Sequence, residues 1–178
     1  MMNRSAFFRL ALLCTIFTAA AWAQSKPPAV ANAEETLSAI AWLVGGTWVS
    51  DVKDPSDGSM THVENRIRWA PNHQAIEFNT DFNGKPHYNG FYAYNPAVKT
   101  VGFYYTSAGG ELTIGTATAD SDGKTVHQDF DIMHADGKTG HIRSTLTRDG
   151  NDAYWFAVFM QKDGEWTQVF RIRYERKG

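Results

Sequence analysis

Three groups of side chains in this 178-residue sequence have types that do chemistry elsewhere. His127, Asp129 and Asp131 alternate, as a metal-binding trio would along one face of a strand. A strand rises about 3.3 Å per residue, so the outer two stand about 13 Å apart and cannot close on one ion. Val126, Phe130 and Ile132 occupy the opposite phase, so the trio reads as a solvated outer face and no metal site is predicted. Glu64 and Glu77 resemble an acid/base pair, but both fall on charged, outward phases. Water there gives neither carboxyl the raised pKa that acid catalysis needs. Ser107 and Ser144 have no evident histidine and acid partners. The sequence has no Gly-x-Ser-x-Gly elbow and no phosphate loop, and its one cysteine, Cys14, lies in an apolar leader. No catalytic residue is predicted.

Another group points to binding. Trp69, Phe78, Tyr88, Tyr92, Phe103, Tyr105 and Phe130 share one phase of alternating segments with Asn65, Gln128 and Ser144. Phe82, Tyr94, Phe156 and Phe170 share that phase, as do the polar Thr80, Thr116 and Gln168. A purely structural core rarely holds so many amides and hydroxyls, because each needs a partner. Apolar walls with a few polar groups describe a small-molecule cavity. The expected ligand is small and hydrophobic with one polar group, held by the ten residues named first. No cofactor is predicted.

These residues need elements to position them. From Gly46 onward the hydrophobic period is two, and ten strands are predicted: 46–52, 61–70, 75–82, 87–94, 100–106, 111–120, 125–134, 139–148, 152–162 and 165–176. Asp122-Gly123, Asp136-Gly137, Asp149-Gly150 and Asp163-Gly164 recur at intervals of about 14 residues, and Asn83-Gly84 and Asn95-Pro96 add two more turn signals. No helix-length segment interrupts them, which excludes parallel crossovers. The predicted fold is all-β: a single up-and-down antiparallel β-barrel of about ten strands, whose closure removes exposed edges. One short helix, 34–44, precedes it. Asn32 is its expected cap, and Leu37, Ile40, Ala41 and Val44 make one apolar face that should cover the closed end of the barrel.

The segment Trp42-Leu43-Val44-Gly45-Gly46-Thr47-Trp48 resembles the Gly-x-Trp opening of lipocalins and related calycin barrels. With the Gly90-Phe91-Tyr92-Ala93-Tyr94-Asn95-Pro96 hairpin and the closing Tyr174-Glu175-Arg176-Lys177, it makes residues 35–177 look like a bacterial family of exported lipocalin-like domains of unknown function. The resemblance implies that Trp48 sits at the closed end and that a basic residue of the last strand packs across it. Arg176 is in phase with inward Phe170, Ile172 and Tyr174, whereas Arg171 and Arg173 are not, so Arg176 is the predicted partner. Nitrobindin-like relatives hold haem with a C-terminal histidine. The last strand here contains none, and none of the six histidines has a clear inward position within a strand, so haem is not predicted.

Arg4 and Arg9, the apolar run 10–21 and Ala21-Trp22-Ala23 read as a signal peptide over 1–23, followed by a proline-bearing flexible leader over 24–33 and the barrel domain over 34–177. The protein is therefore expected in the periplasm or secreted, without disulfides and without membrane attachment after cleavage. The whole chain carries a net charge of −2, and losing two arginines makes it more acidic, so nucleic acid is not an expected partner. Two other functions are open to the same fold: an isomerase or hydrolase using the barrel interior, and a surface interaction module whose barrel is filled. Oligomeric state is not specified by the sequence.

Overall fold

The structure is a computed structural model that describes residues 33–54 and 56–177. The signal-peptide reading, the Asn32 cap and all of the leader except Ala33 lie outside the described residues. Ten strands follow a short helical segment: β1 (Thr47–Lys53), β2 (Met60–Trp69), β3 (Ala75–Phe82), β4 (Lys85–Asn95), β5 (Thr100–Ser107), β6 (Leu112–Ala119), β7 (Thr125–Met133), β8 (Thr139–Arg148), β9 (Ala153–Lys162) and β10 (Glu165–Lys177). Each pairs antiparallel with its neighbour in sequence, and β10 pairs with β1, so the meander closes into a barrel.

Turn chemistry fixes the register. At Asn83-Gly84 and Asp163-Gly164 both turn residues have positive φ (50° and 73°, 53° and 87°). That is the two-residue turn whose twist matches the flanking strands.

The helical segment begins as one α-turn, α1 (Ala33–Leu37), and tightens into a 3-10 turn, Ser38–Leu43. The one short helix expected before the barrel is thus present, with its second half wound as 3-10. Its buried residues are Leu37, Ile40 and Leu43, a spacing of three that lines up on one edge only at three residues per turn. This edge plugs one end of the barrel. Trp48 Nε1 donates to Leu43 O at 2.7 Å, tying the plug to the start of β1.

Two inward assignments are corrected. Thr116 is exposed, and the inward phase of β6 is Thr113 (0% exposed), Gly115 and Ala117 (2%). The larger Leu112 and Ile114 face out, because the rings of Phe103 and Phe130 already fill the inner side. A Cβ on Gly115 would stand 2.3 Å from Phe130 Cβ and 2.9 Å from Phe103 Cε1. Gln168 also faces out. A bulge separates it from Phe170, so Gln168 pairs with Phe159 while Phe170 pairs with Val158.

Closure is uneven. β1 pairs with β2 along its whole length, but with β10 only from Thr47↔Lys177 to Val49↔Glu175. Beyond Val49 the edge of β10 has no ladder on that side among the described residues. The wall is therefore open toward the end opposite Trp48.

Candidate ligand cavity

The closed end is built from Trp48, 0% exposed, and what surrounds it. Arg176 lies 4.1 Å from the centre of the Trp48 ring on the strand phase that the sequence implied. Its guanidinium donates to three carbonyls that end the 3-10 turn: Trp42 O at 3.0 Å, Val44 O at 3.2 Å and Gly45 O. These are the orphan acceptors of a helix C-terminus. Arg171 and Arg173 face out instead, Arg171 over Trp155 at 4.1 Å and Arg173 against Asp149. Tyr154 meets the other edge of Trp48, with ring centres 4.9 Å apart, and stacks on Tyr174 at 4.9 Å.

Above this floor the barrel encloses a cavity of about 550 Å³, within the ~300–1,000 Å³ typical of small-molecule sites. Val52, Thr61, Phe82, Tyr88 and Phe170 place its mouth at the end opposite Trp48. Phe170 is 38% exposed and lines the cavity, so it stands at the rim.

Of the ten residues singled out in the sequence, eight line this space: Asn65, Phe78, Tyr88, Tyr92, Phe103, Tyr105, Gln128 and Phe130. Among their rings Tyr92 tilts against Phe78 at 5.4 Å and Phe130 meets Phe103 edge to face at 5.3 Å. Trp69 is not in the wall. It sits at the closed end, half-buried and stacked on His73 at 5.6 Å. Ser144 is 1% exposed and lies behind Gln128, to whose Oε1 it donates. The lining residues absent from the expected site include two tyrosines, Tyr154 and Tyr174. The phase of Phe156 and of Ile172 already carried that signal.

Among the described residues, no aspartate, glutamate, lysine, arginine or histidine lines the cavity. His87, the nearest to the mouth in sequence, stacks on Phe82 at 4.2 Å outside the lining. The titratable groups inside are five tyrosines, and burial is the largest cause in each case that holds them protonated. The Tyr88 hydroxyl is pushed up to about 12 by burial, then by the charges of Tyr105 and Glu111. Tyr105 is raised by burial. Tyr92 and Tyr174 rise further, and Tyr154 rises with burial and the nearby Tyr174, opposed by a hydrogen bond from Asn65.

The chemical candidates on the outside are each committed elsewhere. His127 pairs with Asp120, while Asp129 takes Arg143 and His141, and Asp131 takes His141. Among the described residues no group of three or more potential ligands is placed to hold a metal ion. Glu64 meets Arg66 at 3.1 Å and Glu77 meets Arg68 at 3.0 Å.

Residues 46–176 match the family described as "Protein of unknown function (DUF1579)". No curated protein matches the chain. Among solved structures, the crystal structure of Rv2717c from M. tuberculosis is similar, with a TM-score of 0.55 and 16% identity over 80% of this chain and 98% of that one. At that identity the likeness concerns the fold.

Proposed function

The chain belongs to the DUF1579 family, and from that premise we propose that it is a binding protein for a small, mostly apolar molecule held inside the barrel. One observation carries the reading: a cavity of about 550 Å³ walled by aromatic rings and, among the described residues, without a charged side chain. Such a space strips water from an apolar molecule without asking it to meet an ion. The same observation weighs against an isomerase or hydrolase, since no group in the wall titrates near neutral pH to move a proton. It also weighs against haem held by histidine, cysteine or methionine, since none of these lines the wall among the described residues.

Two further parts of the reading rest on sequence. The Gly46-Thr47-Trp48 opening with Arg176 across the indole supports a lipocalin-like placement of the barrel. Arg4, Arg9 and Ala21-Trp22-Ala23 support export to the periplasm or beyond, with a mature terminus at Gln24. N-terminal sequencing of exported protein tests this, and a retained Met1 overturns it.

The binding function is tested by native mass spectrometry of protein purified from its own host. A co-purifying small molecule that dissociates on denaturation is the expected result. If nothing co-purifies and no hydrophobic fluorescent probe binds, the barrel is a scaffold for its outer surface instead.

A further inference from the structure

The seam between β1 and β10 is the weakest place in the wall. Its ladder stops at Val49↔Glu175, and every other ladder of the barrel is longer. Continuing that register sets Val52 of β1 against Ile172 of β10, and both line the cavity although no ladder joins them. From Ser50 to Lys53 this unladdered stretch of β1 runs about 13 Å at the rise of a strand. The cavity therefore has a slot along its side that meets the mouth. Backbone donors and acceptors facing the slot have no ladder partner among the described residues, so they are free to bond water or a polar group there.

Apolar surface continues from the cavity past the lip of this slot. Phe170 lines the cavity and is 38% exposed. The bulge leaves its neighbour Val169 without a partner on β9, and Val169 is 54% exposed. Met160 follows the strand phase of the lining residues Phe156 and Val158 and is 47% exposed. Three large apolar side chains of one hairpin thus stand in water beside the opening of an apolar cavity. Single exposed apolar residues are ordinary, whereas a cluster at the rim of a cavity marks surface that an occupant covers.

We propose that the cavity takes the apolar chain of an amphiphile, and that the chain leaves by the slot over the β9–β10 hairpin so that its polar head stays in water. The proposal rests on the cavity being a binding site, and the experiment separates the two. A ligand enclosed in the barrel leaves Met160, Val169 and much of Phe170 uncovered, but a chain passing over them covers all three. A charged head inside would lose its hydration with no charged side chain among the described lining residues to offset the loss. At the lip the head keeps its water, so the chain decides affinity and the head hardly matters.

Three probes share a decyl chain and differ in the head: 1-decanol, decanoate and decyl maltoside, each used below its micellar concentration. The compact 2-naphthol, which needs no exit, reports the cavity alone. Calorimetric titrations at neutral pH are run on the free protein and on protein loaded with 2-naphthol. All three chains should displace 2-naphthol, with affinities that agree within about threefold. Octyl maltoside should bind about fifteenfold more weakly than decyl maltoside, as the loss of two buried methylenes requires. The paired variant Met160→Ser/Val169→Ser should weaken decyl maltoside by about tenfold and leave 2-naphthol as it is, which also shows that the variant is folded. Three results would each sink the slot inference while the cavity reading stands. Decyl maltoside, whose head is too bulky to enter, fails to displace 2-naphthol, or decanoate binds far more weakly than decanol, or the paired variant holds decyl maltoside as the parent does. If no probe binds, 2-naphthol included, both fall.

Discussion

Arg176 covers Trp48 and, with the same guanidinium, holds the last carbonyls of the helical plug, so one side chain joins the end of the barrel to its beginning. Trp48→Ala should destabilise the fold by about 3–5 kcal/mol, as deletion of a large buried aromatic does. Arg176→Ala should cost less, about 1–3 kcal/mol, through unpaired carbonyls and the lost contact over the indole. The double variant should cost less than the sum, because the two side chains touch. Denaturant titration of the four proteins checks this, and strict additivity would contradict the arrangement.

Gly46, the first residue of the Gly-x-Trp opening, should tolerate no side chain. Its φ is +72°, and a Cβ there would stand 3.0 Å from Arg176 Cγ and 3.2 Å from Lys177 O. Gly115 is closed for a different reason. Its Cβ would meet Asp129 O at 2.6 Å and Phe130 Cβ at 2.3 Å, and backbone cannot rotate away. Gly46→Ala and Gly115→Ala should each lower stability by about 1–3 kcal/mol. Gly84→Ala should cost about 1 kcal/mol, since its φ is positive but nothing lies within 4 Å. Thermal unfolding of the three variants gives the comparison.

The strand count, the hairpin order and the Trp48–Arg176 pair were legible because they follow from period-two alternation and turn dipeptides. Alternation failed where small residues face in. In β6 the bulky Leu112 and Ile114 imitate an inward face, while Thr113, Gly115 and Ala117 make room for rings that arrive from β5 and β7. It failed again in β10, where one bulged residue shifts the phase between Gln168 and Phe170. Tyr92 and Gln128 could be placed in the interior from phase alone. That they bond to each other across 36 residues of chain could not, because it depends on which strands face across the barrel.

The cavity tyrosines predict an alkaline limit. Each has a folded pKa above its ordinary value near 10, chiefly through burial, so the folded state holds these protons more tightly than the unfolded chain does. The stability this contributes is present in full below pH 10 and is lost as pH rises through the folded values. Ultraviolet titration of the folded protein should show phenols ionising late, and Tyr88→Phe should remove a step near pH 12. Titration of all the cavity phenols near 10 while the protein is still folded would mean that water fills the space.

On the outer face, His62 Nδ1 lies 2.7 Å from Asp51 and its Nε2 lies 3.4 Å from Glu64. The hydrogen bond to Asp51 is the main cause that raises its pKa above 6.5. Its contribution to stability is therefore complete below pH 6.5 and is lost as pH climbs through the raised value. The His62 ring signals in an NMR titration should have a midpoint above 6.5, and Asp51→Asn should lower it. An unchanged midpoint in that variant would remove Asp51 as the cause.

An open cavity and a filled core respond oppositely to added volume. Val158 lines the cavity on β9. In a filled barrel the larger ring of Val158→Phe would displace neighbours and cost about 1–3 kcal/mol. In an open one it finds space already free, so stability should change by less than about 1 kcal/mol. The same ring would then occupy volume that a ligand needs, and the affinity for 2-naphthol should fall by tenfold or more while the far-ultraviolet spectrum stays that of the parent. Because no charge lines the wall among the described residues, the parent's affinity for that probe should hardly change when sodium chloride is raised from about 0.05 to 1 M. Destabilisation without loss of binding would mean that the probe sits elsewhere and that the barrel is packed solid.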